Sequence, residues 1–430
     1  MQKENLNAFE SVLEKTLHIS LFIYLFLIIF PHTTTLLEIA FWLAFSSWAV
    51  LRLKFRKHEP FIPLNQITIS IFIFILIALI ASLAGMDPID NLKQFKGGLL
   101  IPLSLFLIIV TEYDNCEKIK ELLIAPVSAF AIYTMLVVNE SFIWGLSYYW
   151  DHFLEKYTVW LDGYTGKGIT IFPLSLGYFL LIRTNLRFLL LIFIFLEFAI
   201  MVGVRDISCF GSIAFVILLG ALFARPEIYR FWIRAFILTL LFSGAIVFYM
   251  HKDNPVMDEY KAKLYQITNL SDEIKTGGFS NRIPMWKAAV DIIKDRPLLG
   301  YGWGMKKYPK ILAEEKYLNK WKTDKPEVYN LFAPLKGKYF LPPHNFFLEI
   351  AVQVGLLGLI SGIAFIGIYL FQLIKISIRS NSDMERNFFI ILIAGTILGF
   401  IIPNLMSDKL GGISVKILFV VLGAGMAKKE

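Results

Sequence analysis

Apolar runs of 15 to 20 residues recur along this chain with short polar breaks between them, and that repetition limits its fold more than any single motif does. About 20 apolar residues of helix cross a bilayer core. Inside lipid every backbone N–H and C=O must be satisfied within its own segment, which a helix achieves. Such runs can be placed near 18–30, 36–51, 66–84, 97–110, 121–138, 168–182, 188–203, 207–224, 235–250, 346–374, 388–403 and 410–427. Hydrophobic residues make up 57% of the 430 and charged ones 18%, whereas soluble domains carry about a quarter charged. The expectation is an all-α polytopic membrane protein of about 12 transmembrane helices. A soluble enzyme, a disordered chain and a disulfide-stapled secreted domain are excluded.

Orientation follows from Lys and Arg in the short loops. With the N-terminus cytoplasmic, that side collects Lys3, Lys15, Arg52, Lys54, Arg56, Lys57, Lys118, Lys120, Arg183, Arg187, Arg225, Arg230, Arg234, Lys375, Arg379, Arg386, Lys428 and Lys429. The opposite short loops collect only Lys93, Lys96, Lys156, Lys167, Arg205 and Lys409. Both termini are therefore expected inside. The run from His18 to Phe30 reads as a retained signal anchor, and Cys116 and Cys209 fall on opposite sides, too far apart to pair.

One outer loop, 251–343, dominates and separates two membrane parts, 1–250 with spans one to nine and 344–430 with spans ten to twelve. It is long enough for a small helical domain and holds 17 Lys and Arg against 11 Asp and Glu. A second outer loop, 139–167, is rich in Trp and Tyr, as an interfacial belt or a sugar-contact surface would be. The 346–374 run is too long for one straight span, and Gly355 and Gly358 would allow a bend or close packing.

Within the large loop, Ser280-Asn281-Arg282-Ile283-Pro284 reads as a helix start, with Asn281 or Ser280 as cap and Pro284 in the first turn. Trp286, Ala289, Val290 and Ile293 make its expected apolar stripe, with Lys287, Asp291 and Lys294 on the polar side. Arg282 at the N-terminal edge is either a surface arginine or, with the open N–H groups, a phosphate ligand. The loop ends in Leu341-Pro342-Pro343-His344-Asn345-Phe346, which puts His344 at a helix start near the outer boundary. There the helix dipole disfavours imidazolium and leaves a neutral ring able to accept a proton; a structural histidine fits the same position. Asn345 and Glu349 share one helix face. Arg205-Asp206, Asp408, Lys93 and Lys96 stand at the outer ends of other spans, where charge is expensive and functional by default. Lys416 and Glu197 fall within spans with no role assigned. No metal cluster or cofactor motif is present, and no nucleic-acid partner is expected.

Three segments resemble the O-antigen ligase (WaaL) family, within the O-antigen ligase and polymerase (Wzy-C-like) superfamily. They are Val202-Gly203-Val204-Arg205; Asn281-Arg282 with Trp286-Lys287-Ala288-Ala289 and Pro297-Leu298-Leu299-Gly300-Tyr301-Gly302; and His344-Asn345-Phe346-Phe347-Leu348-Glu349 with Gly355-Leu356-Leu357-Gly358-Leu359. The resemblance implies an enzyme of the bacterial inner membrane whose site, including the large loop, faces the periplasm. It would move a glycan from undecaprenyl diphosphate to lipid A–core with inversion and without a metal or cofactor. On that pattern Arg205 and Arg282 bind the donor diphosphate and His344 takes the acceptor proton. Asp408 matches an acidic residue before the last span more loosely, and Asp206 departs from the small residue usual after the arginine. The same donor would serve a polymerase or a protein O-oligosaccharyltransferase. A flippase would instead place polar residues through the bundle midplane.

Overall fold

The computed structural model describes residues 2–57, 59–60, 62–113, 116–144, 164–181, 282–337, 342–379 and 413–426, with scattered residues in 189–200 and 386–393. Every regular element among them is helical. The membrane bundle contains α1 (Gln2–Leu27), α2 (Thr34–Val50, prolonged by a π-turn at Leu51–Phe55), α3 (Gln66–Ala84), α4 (Pro88–Phe95), α5 (Ile101–Glu112), α6 (Cys116–Trp144) and α7 (Tyr164–Leu181). Among the described residues, five stretches are long and apolar enough to cross a membrane: Thr34–Phe55, Gln66–Ala84, Pro88–Glu112, Glu117–Asn139 and Phe346–Arg379. The expected spans at 207–224 and 235–250, half of 188–203 and most of 388–403 lie outside the described residues, as do Asn281, Cys209 and the core of the aromatic loop.

The bundle is apolar on both sides of its wall. On α3, Ile69, Ile73, Leu76, Ile80 and Leu83 form an exposed stripe at helical spacing, while Ile67, Ile71, Phe74, Ile75 and Ala78 are buried behind it. In water that stripe would be a costly patch; against lipid tails it is neutral, so the expected membrane character holds. Helices α4 and α5 run as one rod through a π-turn at Lys96–Leu100. The rod's far end places Glu112 between Arg52 (Nε–Oε1 2.6 Å) and Arg56, which also pairs with Glu14 at 2.5 Å. Its near end meets a second, smaller unit.

That unit comprises α8 (Arg282–Asp295), α9 (Tyr308–Leu312), α10 (Glu315–Asp324) and α11 (Pro326–Phe332). It has a core of its own: Met285, Ala288, Ala289 and Ile292 of α8 pack with Tyr308, Ile311, Tyr317, Trp321, Val328 and Phe332. The expected apolar stripe of α8 is corrected here. The helix is turned so that Val290 is exposed and Asp291 buried. A carboxylate can occupy that position because Trp321 Nε1 (2.9 Å), Lys325 Nζ (2.5 Å) and Lys320 Nζ (3.3 Å) donate to it, and a buried charge is tolerated when its hydrogen bonds are met.

These contacts give the unit a definite response to acid. Burial alone would raise the Asp291 carboxyl, but the Lys325 and Trp321 hydrogen bonds and the Lys325 charge outweigh it and hold the group below the usual carboxylate range. Asp295 is lowered in the same way by Tyr317 and Lys316 against its burial, and Glu327 chiefly by Lys287. A lowered folded-state value adds stability that is complete above the unfolded value, about 4, and is lost as pH falls through the folded one. Limited proteolysis should therefore cut residues 296–337 faster only below about pH 4. Asp291→Asn should be cut several-fold faster already at neutral pH; equal rates would show that the charge is not what pins α8.

The last described helices are α12 (Phe346–Arg379) and α13 (Ile413–Met426). Helix α12 is broken, as its length suggests: Gly355 has φ +68° inside an otherwise helical run. A break leaves backbone groups without intrahelical partners, and the segment 297–304 supplies them. Tyr301 N–H donates to Val352 O (2.9 Å) and Gly302 N–H to Gln353 O (2.8 Å), while Leu356 N–H donates to Pro297 O (2.7 Å). This strap also bridges the two cores, with Tyr301 in the smaller one and Trp303 in the bundle.

Candidate functional site

Three devices converge where the smaller unit meets the bundle. The first is the strap. Asn91 of α4 donates to Ser82 O at 3.1 Å, and Trp303 N–H donates to Ser82 Oγ at 3.2 Å. Met86 N–H donates to Tyr301 O at 3.1 Å. Lys307, 7% exposed, reaches Asn91 Oδ1 and Trp303 O. Burial pushes its ammonium down to about 8, against the opposing pull of Asp90 and Asp87. The strap is thus held to α3 and α4 on one side and to the broken helix on the other.

The second device is the start of α12. Asn345 is its cap: the side-chain Oδ1 accepts from Phe347 N–H (3.1 Å) and Leu348 N–H (3.2 Å), and its carbonyl accepts from Glu349 N–H (2.9 Å). His344 stands one residue outside the helix in the left-handed region, φ +51°. For a non-glycine residue that conformation costs about 1 kcal/mol, and such strain collects at functional sites. Behind it, Pro342 and Pro343 have φ fixed by their rings. Glu349, 2% exposed, lies one turn further along. Burial first and then the Glu349 charge push the Tyr308 phenol up.

The third device is α8, described from Arg282 onward. Trp286, one turn on, donates its indole N–H to Pro343 O at 2.9 Å. Residues four apart share a helix face, so Arg282 lies on the same face of α8 as Trp286, which holds the His344 turn. The first half of α12, up to the Gly355 break, contributes Leu348 and Val352 to the smaller core. The start of α12 and helix α8 therefore share one core.

The structure links the helix that carries Arg282 to the turn that carries His344 and Asn345 through the Trp286–Pro343 bond, with Glu349 one turn further along α12. Lys93 and Lys96 are exposed on the neighbouring rod, where the Lys96 ammonium lies 5.9 Å from the centre of the Trp42 ring. Arg205 and Asp408 lie outside the described residues. Sequence reading missed three participants. The indole link of Trp286 was hidden because the residue scores only as apolar. Asn91 and Lys307 carry no local signal, since their partners are some 200 residues away in sequence. Among the described residues, no three His, Cys, Asp or Glu side chains stand together as a metal-holding set.

Chemically, a guanidinium can hold a phosphate, and an imidazole can take a proton from a hydroxyl. Residues 161–363 match the Wzy_C family model, described as O-antigen ligase. The matched segment includes Arg205, Arg282, His344 and the strap; Lys93, Lys96 and Asp408 lie beyond it. No curated protein matches the chain.

Proposed function

We propose that this chain, which carries an O-antigen ligase family domain, transfers a glycan from undecaprenyl diphosphate onto lipid A–core at the periplasmic face of the bacterial inner membrane. In this reading Arg282, joined by Arg205, holds the donor diphosphate and stabilises the charge that grows on it as the glycosyl bond breaks. His344 accepts the proton of the acceptor hydroxyl, which attacks the anomeric carbon from the opposite side and inverts it. The guanidinium groups do the work of charge stabilisation, so the reading calls for no metal or cofactor. The observation that carries it is the bond between Trp286 and Pro343, which sets the Arg282 helix against the His344 turn. Both lie on the unit that the proposed topology places outside, with both chain termini inside, and the basic loop 251–343 suits an anionic lipid donor.

The test is a transfer assay with purified protein and undecaprenyl-diphosphate glycan, with lipid A–core supplied or omitted. Glycan should appear on lipid A–core only when that acceptor is present. Longer lipid-linked chains made without it would assign a polymerase instead. Glycan found on a protein acceptor but never on lipid A–core would assign an oligosaccharyltransferase.

A further inference from the structure

The geometry points to Trp286 as a positioning residue of this site, its indole N–H fixing the His344 turn against the helix that carries Arg282. The inference rests on the transfer reaction proposed above and adds to it a residue that touches neither donor nor acceptor.

The turn has few anchors of its own. Pro342 and Pro343 have no backbone N–H to anchor them, and His344 occupies a left-handed conformation that its own side chain disfavours. Asn345 fixes the turn on its helical side by capping α12. On the other side the Pro343 carbonyl is held by Trp286 Nε1 at 2.9 Å. That carbonyl belongs to the peptide unit entering His344, so holding it constrains the rotation that sets where the imidazole points. Trp286 is itself placed: it is half-buried and packs against the core of the smaller unit, and Met285 beside it is 5% exposed. Because Arg282 and Trp286 lie one turn apart on α8, a single hydrogen bond sets the spacing between the phosphate-binding end of the helix and the proton acceptor. Reactions that depend on such spacing lose on the order of a hundredfold in rate for an ångström of misplacement.

The test uses the full-length protein in nanodiscs with two replacements. Trp286→Phe keeps an aromatic ring and removes the donor. Replacing Trp286 by benzothienylalanine, in which sulfur stands for the indole N–H, removes the donor while keeping nearly the same volume. In both, kcat should fall roughly tenfold to a hundredfold with donor KM within about threefold of wild type. The rate of carbethoxylation of His344 by diethyl pyrocarbonate, read by peptide mass spectrometry, should change several-fold, with an unchanged melting temperature in the benzothienyl variant. Wild-type kcat and wild-type His344 reactivity in that variant would overturn the assignment. So would a rise in KM at constant kcat, which would make Trp286 a donor contact. If the wild-type protein transfers nothing, the proposed reaction fails on its own, and the His344 labelling rate alone decides the role of Trp286.

Discussion

Replacing His344 by asparagine should abolish glycan transfer while leaving the protein folded in the membrane. The choice of asparagine matters. His344 sits at φ +51°, a region where alanine would add strain of its own, whereas asparagine enters it several-fold more readily than most residues. His344→Asn therefore keeps the turn and the polarity and removes the ring nitrogen that would accept a proton. General-base catalysis contributes about a hundredfold to ten-thousandfold, so kcat should fall by that much with little change in donor KM. The melting temperature in detergent should stay within a degree or two, since the Asn345 cap and the Pro343–Trp286 bond are untouched. A variant that retains kcat within a small factor of wild type would remove His344 from the proton transfer. One that loses activity together with its fold would return the residue to a structural role.

How far the sequence revealed this arrangement depended on the range of each interaction. The membrane class was legible because a bilayer imposes one requirement, about 20 apolar residues per span, on every segment separately. The helix start at Phe346 was legible for a similar reason: caps and prolines act within one turn. The rotation of α8 was not. Its pattern of apolar residues fits two overlapping stripes, and the choice between them was made by Trp321, Lys325 and Lys320, which hold Asp291 in the interior from about 30 residues away. The bend at Gly355 was expected from length, but its partner was not, since nothing local to Gly355 announces that Pro297 and Tyr301 will complete its backbone bonds. The glycines of the motif within the large loop and of the one just after it look, in isolation, like flexible ends. In the fold Gly300 and Gly355 face each other at a crossing of two backbones.

That crossing yields the second large expected effect. A methyl group at Gly355 would overlap the Leu298 carbonyl oxygen and come within 2.5 Å of Leu299 N, and the residue needs φ +68°. At Gly300, φ +61°, the methyl would lie 2.5 Å from Val352 O and 2.7 Å from Gly355 N. In each case the obstacle is backbone on the opposing strand, which cannot swing aside as a side chain can. Gly355→Ala must either straighten α12 or push the strap away, and both outcomes break the bonds from Tyr301, Gly302 and Leu356. A net value of about 1 kcal/mol per hydrogen bond, added to about 1 kcal/mol for the left-handed backbone, gives a loss of roughly 3–4 kcal/mol. Transfer activity should disappear as well, because the first half of α12 carries His344 and would lose its hold on the smaller unit. Gly367→Ala on the same helix is the matched control: a methyl there meets nothing within 4 Å, so it should leave melting and activity as they are. Both substitutions add one methyl to α12. A large loss at Gly355 with none at Gly367 would identify the backbone crossing as the element that holds the candidate site in place, and equal behaviour would mean that the strap and the broken helix do not depend on each other.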